Sequence, residues 1–72
     1  MKVVVTVDTS EGYYVSDEQE CTEEEFGALS DFLQREDLAS FTMQANDGKE
    51  TYVFRKAILN KSVIKIIKVE ED

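Results

Sequence analysis

The chain has 72 residues, with 8 Lys and Arg against 16 Asp and Glu, a formal net charge of −8, no histidine, no proline and one cysteine. That length allows a single small domain, residues 1–72, which buries only about 60% of the surface its unfolded chain exposes. One cysteine excludes an internal disulfide, and one cysteine with no histidine argues against a structural metal, so association with another chain is the remaining way to stabilise so small a core; the lack of histidine also removes Ser-His and Cys-His nucleophile pairs.

Lys2-Val3-Val4-Val5-Thr6-Val7 is β-branched at nearly every position and predicts a strand whose inner face is Val3, Val5 and Val7. The Asp8–Gly12 segment has turn composition and leads into Tyr13-Tyr14-Val15, a short second strand closing a hairpin. Thr22-Glu23-Glu24-Glu25 is a capping box, in which the Thr22 hydroxyl accepts from the Glu25 amide and the Glu25 carboxylate reaches back; Cys21 and Phe26 hold the staple positions around it. Phe26, Leu29, Phe32 and Leu33 recur at helical spacing as an apolar stripe, with Glu24, Asp31, Gln34 and Arg35 opposite, so a helix is expected from Glu23 to about Glu36. Gly27 falls on its outer half as a tolerated surface glycine.

Phe41–Ala45 and Thr51–Arg55 both alternate around an Asp47-Gly48 pair, a strong hairpin signal. Counting outward from that pair places Met43 opposite Tyr52 and Phe41 opposite Phe54 on one inner face, leaving Ser40, Thr42, Gln44, Thr51, Val53 and Arg55 outside. Lys56 to Ser62 turns the chain with a short helical turn that buries Ile58 or Leu59. Val63–Val69 closes the domain as a strand apolar on both faces, Ile64 and Ile66 on one and Val63, Ile67 and Val69 on the other. Such a strand is central or meets a second chain. The expected fold is α+β in the order ββαβββ, one helix packed on a mostly antiparallel sheet.

The charges are segregated along the chain. Between Asp8 and Asp37 eleven acidic residues face the single base Arg35, whereas Lys49, Arg55, Lys56, Lys61, Lys65 and Lys68 dominate the stretch from Leu38 to Val69. No glycine-rich loop precedes a helix to cradle phosphate, and the carboxylates sit in an open charge run where burial cannot tune them for catalysis. The residues therefore point to a non-catalytic interaction module with no cofactor and no metal. Its partner is expected to be a protein with a basic surface, docked on Asp17, Glu18, Glu20, Glu24 and Asp31 by electrostatic complementarity. A homodimer is expected through Val63, Ile67 and Val69, since one helix covers only one face of a small sheet.

Two other readings stay open. The acidic block resembles, in general character only, the DNA-mimic inhibitors carried by bacteriophages, which implies an accessory protein that occupies a DNA-binding site. Alternatively Lys56, Lys61, Lys65 and Lys68, interleaved with Tyr52 and Phe54, form a single-stranded nucleic-acid platform; the inward turn of both aromatics and the net negative charge argue against direct nucleic-acid binding. The N-terminal segment is far shorter than a signal peptide or spanning helix requires, so a cytoplasmic location and no membrane contact are expected.

Overall fold

The computed structural model describes residues 1–35 and 37–69. The elements run β1 (Lys2–Asp8), β2 (Tyr13–Val15), β3 (Gln19–Glu20), α1 (Glu23–Leu33), β4 (Ser40–Ala45), β5 (Glu50–Arg55), α2 (Lys56–Leu59) and β6 (Val63–Val69). The class is α+β. The two-residue β3 is an addition to the expected order, and α2 supplies the helical turn anticipated before the last strand.

β1 is the central strand of a four-stranded antiparallel sheet. β6 pairs with it along all seven residues, from Lys2 opposite Val69 to Asp8 opposite Val63. A strand has two edges, so β2 and β3 share the other one, β2 with Thr6 to Asp8 and β3 with Lys2 and Val3. Between those two stretches Val4 and Val5 lie opposite three residues, Ser16 to Glu18, so the returning strand carries one extra residue and bulges there. The Ser16 hydroxyl repairs the ladder at the bulge, because its Oγ accepts the Val5 N–H at 2.8 Å while the Ser16 N–H donates to the Val5 carbonyl at 2.9 Å.

β4 and β5 form a separate two-stranded sheet. Their register is the one read from the Asp-Gly pair, Met43 opposite Tyr52 and Phe41 opposite Phe54. Asp47 and Gly48 have φ of 57° and 78°, as a type I′ turn requires, and the Lys49 N–H closes the turn on the Asn46 carbonyl at 3.2 Å. The expected single sheet is thus corrected to two. Met43 and Phe54 from the hairpin pack on Val5 and Val7 of β1, with Tyr14, Leu29, Leu33, Leu59, Ile64 and Ile66 around them. Tyr14 joins the two sheets, its ring set edge-on to Tyr52 at 5.0 Å and to Phe54 at 5.4 Å.

The α1 capping box forms as expected: Thr22 Oγ1 accepts from the Glu25 N–H and Glu25 Oε1 accepts from the Thr22 N–H, both at 3.1 Å. The helix ends at Leu33 with Gln34 as its C-cap, short of the expected end, and Glu36 lies outside the described residues. Leu29 and Leu33 face the core, but Phe32 is 42% exposed. At 3.6 residues per turn Phe26, Leu29 and Leu33 fall within about 60° of arc, and Phe32 lies about 60° further round, so Leu29 and Leu33 make the core contact, Phe26 lies half-buried under Lys68, and Phe32 is left outside.

The structure narrows the reading of the last strand. Among the described residues β6 pairs with β1 alone and is an edge strand, so of the two expectations the central position is excluded and the meeting with a second chain is left. Its Ile64 and Ile66 pack on the core while Val63, 57% exposed, and Ile67, 41% exposed, turn outward beside the half-buried Val69. Thr6 on the central strand is 2% exposed, and its hydroxyl has no hydrogen-bond partner among the described residues.

Candidate functional site

The bulge that breaks the β2/β3 edge also shapes a surface groove. Lys2, Val4, Val15, Ser16, Asp17, Glu18, Glu20 and Asp47 line a groove of about 620 Å³. Its apolar part is Val4 and Val15, which the pleat places on the sheet face turned away from the core. Its rim is mainly acidic, with Glu18 and Glu20 exposed, Asp47 supplied by the tip of the β4–β5 hairpin, and Lys2 beside them.

Asp17 does a different job from its neighbours. Its carboxylate accepts the Asp47 N–H at 3.0 Å and the Gly48 N–H at 2.9 Å, and its own N–H donates to the Gln44 carbonyl at 2.9 Å. Asp47 and Gly48, both in left-handed backbone, point successive amides at one anion, the geometry of a backbone nest. Asp17, expected on the docking surface, therefore ties the second sheet to the edge of the first, and its carboxylate is engaged by two backbone amides. Glu20 keeps most of its surface, with its Oε2 3.9 Å from the N-terminal ammonium.

Glu24 and Asp31 are exposed on α1 and do not line the groove. The sequence-expected acidic surface is thus divided. Glu18 and Glu20 gather with Asp17 around the groove, while the helix pair stands apart, and Asp47, absent from the sequence-based set, joins them. Only the turn chemistry of Asp47-Gly48 hinted at its placement, because the contact to Asp17 spans 30 residues.

Elsewhere some charged groups meet in ordinary surface pairs. Lys68 Nζ lies 3.6 Å from Glu23 Oε1 and 4.8 Å from the centre of the Phe26 ring, so the base sits at the acidic start of α1. Arg35 donates two hydrogen bonds to Asp37 at 2.9 and 3.1 Å; that contact lowers the Asp37 carboxyl below its ordinary range and raises the guanidinium. Tyr52 Oη donates to Glu50 Oε2 at 2.8 Å, a bond that, with some desolvation and the nearby carboxylate charge, raises the phenol above its usual value. Cys21 is buried and free, its Sγ 3.3 Å from the Thr22 carbonyl. Among the described residues no group of three or more Cys, Asp or Glu side chains is placed to hold a metal ion, and no helix is long and apolar enough to cross a membrane. Compared with known protein families, curated proteins and solved structures, the chain matches none of them.

Proposed function

We propose that this protein is a cytoplasmic, non-catalytic interaction module that docks a basic segment of a partner protein in the groove beside the β2/β3 edge. The observation that carries the reading is the joining of an apolar floor, Val4 and Val15, to a rim on which Glu18, Glu20 and Asp47 outnumber Lys2. Lysine and arginine side chains suit such a surface, since their methylene stems lie on apolar groups while the charged heads reach the carboxylates. The net charge of −8 adds long-range attraction, which raises the association rate and weakens as salt screens it.

The test uses a synthetic peptide alternating lysine and valine, titrated into isotopically labelled protein. Chemical-shift changes are expected at Val4, Val15, Glu18 and Glu20, and Glu18→Lys with Glu20→Lys should weaken the peptide about tenfold or more by opposing like charges at the contact. The control reversal Glu24→Lys with Asp31→Lys should leave binding near its original strength. If the control abolishes binding and the groove variant does not, the docking surface is α1 and the groove reading fails.

A further inference from the structure

We infer that β6 pairs antiparallel with β6 of a second copy of this chain, with the two-fold axis at Ile66, to make one continuous sheet across both copies. The inference starts from which backbone groups are already used. Val5 turns its N–H and its carbonyl toward Ser16 on the β2/β3 side. Its neighbours Val4 and Thr6 therefore make the bonds to β6, opposite Ile67 and Lys65. By the same alternation Val63 and Val69 also face β1. Ile64, Ile66 and Lys68 are left with their N–H and carbonyl groups aimed at the outer edge, where no described strand pairs with them.

Those free groups match themselves under two-fold rotation. In an antiparallel pair, opposite residues share a face, so the axis must pass through a residue position. Centred on Ile66, it overlaps all seven residues of each strand: Val63 meets Val69, Ile64 meets Lys68, Lys65 meets Ile67, and Ile66 meets itself. The three outward-facing residues then exchange bonds with their counterparts, and no lysine stands directly opposite a lysine. Moving the axis to Lys65 would set that side chain against its own copy, which destabilises a cross-strand pair, and other centres shorten the overlap. Lys68 is already beside Glu23, which tempers its charge at the seam. The opposite edge of the sheet cannot serve in the same way, because the bulge at Ser16 to Glu18 interrupts it and Asp17 binds the hairpin tip there. A second copy is thus the occupant that this edge fits.

Amide exchange followed by NMR across a concentration series tests the pairing. In a monomer the amides of Lys65 and Ile67 are protected and those of Ile64, Ile66 and Lys68 exchange fast. In the paired species the latter three gain about tenfold or more protection as concentration rises, alongside a doubled mass by light scattering. Two substitutions at the exposed Ile67 separate this edge contact from an apolar face contact. Ile67→Lys places a lysine against Lys65 of the second copy and should give monomer, whereas Ile67→Glu places an opposite charge there and should keep the dimer. A monomeric mass at high concentration, a dimer in which Ile64, Ile66 and Lys68 stay unprotected, or equal loss of the dimer in both variants would each overturn the inference. The groove lies on the other edge, so Glu18→Lys with Glu20→Lys should leave the mass unchanged, and the docking reading and the pairing can fail separately.

Discussion

Along the β2/β3 edge of the four-stranded sheet the strand breaks after Val15, resumes at Gln19 and is tied to the hairpin tip, whereas along the β6 edge seven residues run without interruption. The first edge carries Asp17, Glu18 and Glu20; the second carries Lys65 and Lys68. A straight edge with free N–H and carbonyl groups invites another strand, and a bulge with polar side chains turned into it refuses one. Two short polar residues are enough to make the difference, Ser16 by replacing a ladder partner and Asp17 by holding the turn of the other sheet. The closed edge then offers side chains to a partner, and the open edge offers backbone.

The comparison breaks most severely at Ser16. Ser16→Ala removes the acceptor of the buried Val5 N–H, and an amide left without a partner inside the fold costs about 1–3 kcal/mol. Because Ser16 is itself buried, a loss of about 2 kcal/mol is expected, read as a lower urea midpoint. A midpoint equal to that of the unmodified protein would show that the bulge does not depend on this hydroxyl.

Asp17→Ala should cost less, about 1.5 kcal/mol, the low end for a hydrogen-bonded charged group, because the amides of Asp47 and Gly48 lie near solvent and can turn to water. The loss should be local. Faster amide exchange is expected at Asp47 and Gly48, with the β1–β6 pairing unchanged. Uniform loosening of both sheets would mean that Asp17 supports the core and not only the hairpin tip.

How far these edges could be read from sequence depends on how local their causes are. The Asn46-Asp47-Gly48 run fixes its hairpin register because few residues tolerate the three successive positive φ values found there, and Thr22 with Glu25 marks the helix start within four residues. The valine alternation of β1 identifies its buried face for the same reason. The split into two sheets could not be read, since strands of the same composition pair in either arrangement. Nor could the edge position of β6, because apolar residues on both faces suit a central strand as well as an edge strand whose outer face is uncovered. In the candidate site, Glu18 and Glu20 were legible as exposed acids, but Asp17 to Asp47 is a tertiary contact, and a loop of Asp, Glu and Gln looks the same whether it is solvated or folded into a bulge.

Thr6 stands where the two edges meet, with Val15 directly across it on one side and Lys65 on the other. Its hydroxyl is buried and has no partner among the described residues. Thr6→Val keeps the branched shape and the strand propensity while removing a polar atom whose burial without a partner is unfavourable. The expected result is a gain of about 1 kcal/mol, the smallest and the only stabilising change of the three, seen as a higher urea midpoint with an unchanged denaturant slope. The gain should be the same at low and at high protein concentration, because the hydroxyl is enclosed within one chain and not at the β6 seam. A loss of stability would mean that the hydroxyl has a partner in solution, and a gain confined to high concentration would tie Thr6 to the contact between copies.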